Sequence, residues 1–382
     1  MTRILDLYCG MGGLSLGFAI AGEQISILGV DIDKHAVATY NHNLRKYGAE
    51  AIVADILNWQ PREKYDIIIG GVPCQPYSVA NTVAFGESHR LYPTLPRFFD
   101  IVLETKPKLF LMENVKGLVS KKYISYFENH INRVRSDYSV KWKVMDASKY
   151  GVPQRRQRLI VVGVRKDLGL PWSFPEETHG ETAYIRIDGP SVEPWITVTE
   201  AIGDLLKHNQ NTLPLPLDLD TEYQKKHLPI ELSKPSRTLT SHISKTTRDA
   251  LIIVKAGKDD VREYHKGQPS PTIMNLPSST ILTDGRQRPL GHHKSLSYEA
   301  RKLTPRECLR IQSFPDWWEF PEHIKKTHQY KLIGEAVPPI LAYRLAQQIY
   351  KTLNIPTKPL NPSEWKLPYC ERSFYDLLGI KR

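Results

Sequence analysis

The stretch Asp6-Leu7-Tyr8-Cys9-Gly10-Met11-Gly12-Gly13 decides the fold class of this 382-residue chain. The residues around it predict a strand over 3–9 and a helix over 14–21. A glycine-rich turn between a strand and a helix lets the backbone approach a ligand closely. The chain therefore begins with a strand, a ligand-binding turn and a helix.

Strands and helices continue to alternate along the first 165 residues. The predicted strands cover 25–31, 51–54, 65–69, 108–112, 140–147 and 159–164. The predicted helices cover 34–47, 97–106 and 123–136. This alternation predicts an α/β fold with a doubly wound, mostly parallel sheet. Ligands of such sheets bind beyond the carboxyl ends of the strands, and we expect every motif described below to lie there.

The composition changes after Arg165. Residues 166–300 are rich in Pro, Ser, Thr and His and contain short β-prone segments, which predicts a smaller, irregular, β-rich domain. Residues 301–350 become helical again, because Thr304-Pro305-Arg306-Glu307 has the capping pattern of a helix start. We therefore predict domains over 1–165 and 166–300, a return to the first domain over 301–350, and a tail over 351–382.

Charge and cysteine usage limit the class of protein. The net charge of +11 indicates a polyanionic partner, although a basic surface that serves solubility would explain the charge alone. Cys9, Cys74, Cys308 and Cys370 are too far apart for a zinc site or a disulfide framework, so we expect no metal and a reducing cytoplasm. No apolar run approaches the ~20 residues that span a bilayer, and the chain starts with a strand instead of a signal peptide.

A second motif, Gly70-Gly71-Val72-Pro73-Cys74-Gln75-Pro76, follows the predicted strand over 65–69. A thiol attacks as thiolate, and we expect a basic cleft to hold Cys74 partly ionised. Taken alone, Cys74 is better explained as a buried structural cysteine in a Gly/Pro turn. Two further motifs favour the catalytic interpretation: Met112-Glu113-Asn114-Val115 and Gln154-Arg155-Arg156-Gln157-Arg158.

In this order, the motifs resemble those of the DNA (cytosine-5) methyltransferases of prokaryotic restriction-modification systems. The resemblance covers residues 3–165 and returns at 301–350. It implies the Rossmann-like fold of S-adenosylmethionine-dependent methyltransferases, double-stranded DNA as partner, and S-adenosylhomocysteine as product. The first predicted domain then binds the cofactor and carries out catalysis, residues 166–300 recognise the target, and residues 301–350 support the recognition domain.

The resemblance also implies the chemistry of five residues. Cys74 would attack C6 of cytosine, and Glu113 would protonate N3 if burial raises its pKa. Asn114 would orient the site, and Arg158 would bind O2. Arg156 would hold Glu113 or a phosphate, on the same side of an extended segment as Arg158. Singly, Glu113 is also explained as a helix-start carboxylate, and the arginines as a phosphate-binding edge.

The cofactor prediction begins with Asp31, which ends the second strand about 20 residues beyond the glycines and can bind both ribose hydroxyls. Ile32 would lie against the adenine, and Asp55 and Ile56 would reach its amino group and ring. The turn lacks a full G-x-G-x-x-G pattern and a phosphate cradle, which favours S-adenosylmethionine over NAD. The resemblance adds further cofactor residues: Tyr8, Gly10, Met11, Gly12, Gly13, Pro73, Ala336 and Val337.

Two positions depart from the family pattern. Tyr8 stands where phenylalanine is usual. Glu335, within Gly334-Glu335-Ala336-Val337, stands where asparagine is usual. A carboxylate at this position would repel the carboxylate of the cofactor, so we carry over only backbone contacts from this motif.

The DNA contacts rest on resemblance. They include Gln75, Ser78 and Arg155. A Thr-aliphatic pair that helps base flipping is expected about 20 residues before the motif Arg301-Lys302-Leu303-Thr304-Pro305-Arg306-Glu307, where Thr280-Ile281 lies. Two rival pairs remain: Thr238-Leu239 and Thr272-Ile273.

We therefore predict a monomeric duplex-DNA cytosine methylase of the prokaryotic cytoplasm, without an obligate protein partner or membrane contact, that acts at the nucleoid and protects host DNA. One alternative is a tRNA cytosine-5 methyltransferase, against which the long variable region argues. Another is a silent DNA-binding protein, against which the intact Cys74, Glu113 and Arg158 argue. An NAD oxidoreductase would leave the cysteine and arginine motifs without a purpose.

Overall fold

The structure, a computed structural model, describes residues 1–77, 88–184, 191–205, 213–216, 235–237, 251–256 and 297–369. Several predicted DNA-contact residues lie outside these ranges: Ser78, Thr280 and Ile281. The rival pairs Thr238-Leu239 and Thr272-Ile273 also lie outside the described residues.

A seven-stranded sheet with the strand order β3-β2-β1-β4-β5-β8-β6 occupies the centre of the described residues. The first eight strands of the chain are β1 (Thr2–Leu7), β2 (Ile25–Asp31), β3 (Ala49–Val53), β4 (Ile67–Gly71), β5 (Leu109–Val115), β6 (Tyr138–Asp146), the two-residue β7 (Gln154–Arg155) and β8 (Gln157–Arg165). All of them except β7 belong to this sheet. The pairs from β3 to β5 are parallel, whereas β8 is antiparallel to both of its neighbours, β5 and β6. In this sheet, β8 therefore runs opposite to the other six strands.

Apolar cores cover both faces of this sheet. Ile4 and Ile67 belong to one core, while the next residues, Leu5 and Ile68, belong to the other. Successive side chains of a strand point to opposite faces, so a strand covered on both faces needs a continuous apolar run. The run Ile67-Ile68-Ile69 is fully buried and meets this requirement.

Helices supply the two covering layers. They are α1 (Gly13–Ala21), α2 (Lys34–Leu44), α3 (Thr94–Thr105), α4 (Ile124–Val134), α5 (Val198–Ile202), α6 (Pro305–Ile311), α7 (Lys326–Glu335), α8 (Pro339–Thr352) and α9 (Pro362–Trp365). Buried residues of α1, α2 and α8 lie in one core, and those of α3 and α4 lie in the other. Within the described ranges, none of the helices combines the length and the apolar composition that crossing a bilayer requires.

Six further strands, all short, lie among the described residues after β8. They are β9 (His179–Gly180), β10 (Glu193–Pro194), β11 (Leu213–Pro216), β12 (Ser236–Arg237), β13 (Leu251–Ala256) and β14 (Ser297–Lys302). Strands β11, β14 and β13 form an antiparallel sheet, and β12 pairs with β7. The predicted α/β class with a smaller β-rich part is confirmed, while the domain boundaries at 165 and 300 stay predictions.

Three sequence predictions are confirmed or corrected at the level of single elements. The predicted capping of α6 is confirmed: Thr304 and Glu307 form a reciprocal capping box. The strand predicted over 108–112 continues to Val115, so Glu113 is a strand residue and not a helix-start carboxylate. The expectation that every motif follows a strand is wrong for Gln154–Arg158, which spans β7 and the first two residues of β8. Because β8 is reversed, its amino end still lies at the carboxyl edge of β5, with Arg158 opposite Val115.

Candidate active site

A cleft of about 1290 Å³ lies at the carboxyl edge of the parallel strands. It is lined by most of the predicted site residues: Tyr8, Gly10, Met11, Asp31, Ile32, Asp55, Ile56, Pro73, Cys74, Gln75, Glu113, Arg155, Arg156, Arg158 and Ala336. A second cleft of about 820 Å³ beside β3 contains none of them. The structure therefore brings together residues that are far apart in the sequence.

The loop that carries Cys74 is held from the neighbouring strand. Cys74 lies three residues beyond the end of β4, and its carbonyl accepts a hydrogen bond from the Tyr77 N–H at 2.9 Å. The Asn114 side chain, fully buried in β5, donates to the Val72 carbonyl at 3.2 Å. Asn114 does not line the cleft. Its hydrogen bond ties β5 to the backbone that leads to Cys74, and its role in orienting the site stays a prediction.

Glu113 and Arg158 form a buried ion pair at the wall of the cleft. Arg158 Nε lies 2.9 Å from Glu113 Oε1, and the side chains are 12% and 9% exposed. The pair is possible because β5 and β8 are adjacent and antiparallel, which brings the end of one strand to the start of the other. Burial raises the pKa of the Glu113 carboxyl, while Arg158 and Arg156 oppose this increase. Glu113 can therefore carry a proton more readily than an exposed glutamate.

The ionisation state expected for Cys74 is wrong. Burial raises the pKa of the Cys74 thiol above its ordinary value, even though Arg158 and Arg156 act in the opposite direction. Glu113 and Glu335 reinforce the increase. A low-dielectric environment disfavours the thiolate more strongly than the two arginines favour it. The cleft thus holds Cys74 mainly as thiol.

Arg156 is anchored to the C-terminal end of α7. Its Nη2 donates to the carbonyls of Gly334 at 2.9 Å and Ala336 at 3.0 Å, and the residue is 1% exposed. Arg156 nevertheless lines the cleft, so the alternative that it holds a phosphate there stays a prediction. Its charge still acts on Glu113, so holding that carboxylate remains a prediction.

At the other end of the cleft, Asp31 organises the glycine turn. Its carboxylate accepts hydrogen bonds from the Gly10 N–H and the Asp33 N–H, each at 2.8 Å. Burial raises the pKa of Asp31, and the two N–H donors oppose the increase. Ile32 is 67% exposed beside it, an unusual exposure for an isoleucine at the wall of a cleft. An acid next to an exposed apolar surface fits a ribose and an adenine ring.

Gly12, Gly13 and Val337 do not line the cleft. A Cβ at Gly13 would collide with the Val337 carbonyl oxygen, and one at Gly12 would lie 2.6 Å from Leu44 Cδ1. Gly12 also has φ +97°, which disfavours other residues. These two glycines therefore permit close packing of α1, and their approach to the cofactor stays a prediction.

Sequence reasoning missed Lys331. Its Nζ donates to Asp33 Oδ2 at 2.8 Å and lies 3.8 Å from Glu335 Oε2, and all three residues line the cleft. The i,i+4 spacing of Lys331 and Glu335 in a predicted helical region was the available signal. The predicted repulsion between Glu335 and the cofactor carboxylate did not consider the positive charge of Lys331 beside Glu335.

The chain is similar to known proteins over nearly its whole length. Residues 2–351 match the family described as C-5 cytosine-specific DNA methylase. The Type II methyltransferase M.XorII of Xanthomonas oryzae pv. oryzae is 32% identical, and the match covers 95% of this chain and 88% of that protein. The Type II methyltransferase M.NgoFVII of Neisseria gonorrhoeae is also 32% identical, with 99% of this chain and 94% of that protein covered.

Solved structures share the fold. The S. pombe Dnmt2 methyltransferase has a TM-score of 0.64 at 16% identity, covering 93% of this chain and 100% of that chain. A putative DNA modification methyltransferase encoded within an E. coli prophage has a TM-score of 0.56 at 24% identity, with the same coverage. The match over residues 2–351 and the relatives above 30% identity agree with the geometry of the cleft. The chain belongs to the C-5 cytosine-specific DNA methylase family and is a DNA cytosine-5-methyltransferase.

Proposed function

We propose that the protein methylates C5 of a cytosine flipped out of a specific duplex DNA sequence, through a covalent bond between Cys74 and C6. We also propose that this reaction protects host DNA as the modification half of a restriction-modification system. The observation that carries the chemical proposal is the buried Glu113–Arg158 pair, 2.9 Å apart, in the same cleft as Cys74. The relatives described as Type II methyltransferases support the biological role.

The Cys74 thiol must lose its proton before it can attack. Since burial raises its pKa, the nearby charges of Arg158 and Arg156 provide the stabilisation that a thiolate would need. Attack forms the Sγ–C6 bond and pushes electrons through the ring toward N3 and O2. Glu113 in its protonated form supplies the proton at N3, and Arg158 stabilises the charge at O2.

The covalent bond makes C5 nucleophilic. When bound, S-adenosylmethionine supplies an electrophilic methyl group. Loss of the C5 proton to a base then restores the C5–C6 double bond and breaks the Sγ–C6 bond, so that Cys74 leaves as thiolate and Glu113 takes back the N3 proton. The Asn114–Val72 hydrogen bond at 3.2 Å keeps the Cys74 loop in register with Glu113 throughout these steps.

We assign the adenosine end of the cofactor to the region of Asp31 and Ile32. The Asp31 carboxylate would bind the ribose hydroxyls while its bonds to two backbone N–H groups fix its orientation. The exposed Ile32 and the buried Ile56 would contact the adenine ring from the same cleft, with Asp55 beside them. The product, S-adenosylhomocysteine, would occupy the same residues.

Duplex DNA suits the outer part of the cleft. Arg155 is exposed there, with its guanidinium 5.6 Å from the Trp195 ring. Strand β12 pairs with β7, and the Ser236 N–H donates to the Pro153 carbonyl at 2.9 Å. This pairing joins the proposed target-recognition region to the segment that carries the catalytic arginines. A stacked cytosine does not present C6 to a thiol, so the target must leave the helix.

Bisulfite sequencing of DNA from cells that express the protein tests the proposal. We expect protection of one cytosine within a fixed short sequence by the wild type, and none by Cys74→Ser. Total tRNA from the same cells is treated in parallel. Methylation confined to tRNA would contradict the DNA substrate. Unmethylated DNA and tRNA in cells that contain the folded protein would contradict the methyltransferase activity itself.

A further inference from the structure

Glu335 occupies a position between the two ends of the cleft. It is the last residue of α7 and lines the cleft together with Asp31 and Cys74. Its charge raises the pKa of the Cys74 thiol, and the charges of Asp31 and Asp33 raise the pKa of Glu335 in turn. Glu335 is therefore close enough to interact electrostatically with the proposed ribose site on one side and the nucleophile on the other.

The backbone at Glu335 is fixed on both sides. The carbonyls of Gly334 and Ala336 both accept hydrogen bonds from Arg156, at 2.9 and 3.0 Å. The Ala336 carbonyl also accepts from Gln312 Nε2 at 2.6 Å. Arg156 is the same side chain whose charge acts on Cys74. The clamp therefore holds Glu335 at a defined place relative to the nucleophile.

Lys331 only partly neutralises this carboxylate. Its Nζ lies 2.8 Å from Asp33 Oδ2 but 3.8 Å from Glu335 Oε2. Burial raises the pKa of Glu335 to about 7, although its side chain is 36% exposed toward the cleft. Asp31 and Asp33 add to this increase, and Lys331 opposes it. The site would gain from a ligand that brings a further positive charge.

S-adenosylmethionine has such a charge between its two ends. Its sulfonium joins the ribose side to the methyl group that must approach the carbon activated by Cys74. We propose that Glu335 faces this sulfonium and selects the charged cofactor over its uncharged product, an inference that rests on the proposed function. After methyl transfer the sulfur is a neutral thioether, so the attraction to Glu335 disappears and the product is held less tightly.

We expect this preference for the charged cofactor in the present chain because Glu335 replaces the asparagine that is usual in the family. The asparagine that is usual at the position of Glu335 carries no charge and cannot make the same distinction. The attraction exists before the reaction and weakens as the positive charge leaves the sulfur. Glu335 therefore strengthens cofactor binding without accelerating methyl transfer, because it stabilises the ground state more than the transition state.

The inference also fixes the sign of a pH effect. A cation beside Glu335 favours the ionised carboxylate, so cofactor binding expels a proton from the fraction of molecules in which Glu335 is protonated. Affinity for S-adenosylmethionine must then rise between pH 6 and pH 8, around the pKa of about 7. Affinity for S-adenosylhomocysteine lacks this contribution. The other groups around Glu335 are common to both complexes: Lys331, Asp31, Asp33, Cys74 and Arg156.

Calorimetric titration with three nucleosides tests the inference. S-adenosylmethionine and sinefungin, in which an amine replaces the methylsulfonium, are compared with S-adenosylhomocysteine. In Glu335→Gln, and equally in Glu335→Asn, we expect about tenfold weaker binding of the two cationic ligands and a change below about twofold for the neutral one. Glu322→Gln, which removes an exposed carboxylate outside the cleft, is the matched control and leaves all three affinities unchanged.

An equal loss for charged and neutral ligands, or no loss, would overturn the inference, because a purely structural role does not discriminate by charge. Retained binding of S-adenosylhomocysteine shows that each variant is folded. Should both variants unfold, the pH dependence of the wild type decides: identical pH profiles for the two natural ligands overturn the inference. Failure of wild type to bind any of the nucleosides or to methylate DNA would instead refute the proposed function.

Discussion

The two ends of the cleft organise charge in opposite ways. At the nucleophile end, Glu113 is paired with Arg158 at 2.9 Å within two adjacent strands. At the proposed cofactor end, Asp31 and Asp33 share the cation of Lys331 with Glu335, which lies between the two ends. We propose that the ion pair holds Glu113 and Arg158 in place around the uncharged cytosine ring. The second arrangement leaves an excess of negative charge, which suits a ligand that carries a positive charge. We therefore expect substitutions of Cys74 and Glu113 to act mainly on the chemistry, and substitution of Asp31 to act mainly on cofactor binding.

The largest expected effect is at Cys74. Cys74→Ser should reduce methyl transfer more than about 1000-fold, because an alcohol at neutral pH is a far weaker nucleophile toward C6 than a thiolate. Tritium transfer from labelled S-adenosylmethionine measures the loss, and DNA binding should persist. Cys308→Ala, at a buried cysteine outside the cleft, is the control and should remain active. Wild-type activity in Cys74→Ser would remove Cys74 from its role.

The covalent bond has a direct test as well. A duplex with 5-fluorocytosine at the target position should trap the wild type as a complex that resists denaturation, because fluorine does not leave C5 as a proton does. The adduct should be absent in Cys74→Ser. A complex that dissociates in denaturant, on DNA that contains a correct site, would contradict covalent catalysis.

The next effect is at Glu113. Glu113→Gln should lower kcat by about 100–10,000-fold, because the amide cannot deliver the proton to N3. Since the protonated carboxyl is the active form, wild-type kcat/KM should fall as pH rises through the raised pKa of Glu113, and the variant should lack this limb. Stopped-flow rates across pH measure both quantities. A loss confined to KM would assign Glu113 to binding instead of proton transfer.

A smaller effect is expected at the cofactor end. Asp31→Ala should weaken S-adenosylmethionine binding by about 1–3 kcal/mol, the range for lost hydrogen bonds to a charged group. Unlike Glu335→Gln, it should weaken S-adenosylhomocysteine equally, because both molecules contain the ribose. Calorimetry measures this, and DNA affinity without cofactor serves as the internal control. An effect on only the charged ligand would move the ribose contact away from Asp31.

The smallest expected effect concerns the free energy of unfolding and the buried Asp6 in β1. Asp6 is fully buried, accepts a hydrogen bond from Ser15 Oγ at 2.6 Å, and burial raises its pKa to about 8. Between pH 4 and pH 8 the unfolded chain releases this proton while the folded protein retains it. Stability should therefore fall as pH rises, by at most ~1.4 kcal/mol per pH unit from this group.

Asp6→Asn replaces the titratable carboxyl by an amide, whose oxygen can still accept the hydrogen bond from Ser15. Urea unfolding at several values between pH 5 and pH 8 should show a shallower loss of stability in the variant than in wild type. Parallel curves for the two proteins would mean that Asp6 is ionised in the folded state. Methylation kinetics at pH 7 should differ little, since Asp6 does not line the cleft.

The sequence was sufficient for the parts of the site that depend on local pattern. Cys74, Glu113 and Arg158 stand in short motifs at strand ends, and the sheet brings these ends together. The reversal of β8 was not available from local pattern, because an apolar strand has the same composition in either direction. The reversal is nevertheless what places Arg158 opposite the end of β5.

Other features depend on packing that a sequence does not display. The pKa of Cys74 is set by how completely the fold excludes water, so the basic motif alone gave the wrong direction. Gly13 is required by the nearness of Val337, more than 300 residues later in the chain. Lys331 was missed because its partner Asp33 lies on a different element. Each of these contacts forms only when distant segments meet.

One such contact joins α1 to α8. The Tyr350 hydroxyl donates to the Phe18 carbonyl at 2.9 Å, across 332 residues, where α8 packs against α1. During synthesis the apolar face of α1 therefore stays uncovered until α8, which follows it by more than 300 residues, has left the ribosome. The entropy of closing this long loop grows only slowly, by about 0.6 kcal/mol for each doubling of its length. An insertion within residues 166–300, the proposed target-recognition region, should therefore add little to the entropy of closing this loop, whereas the strands of the central sheet between the same two helices must keep their packing.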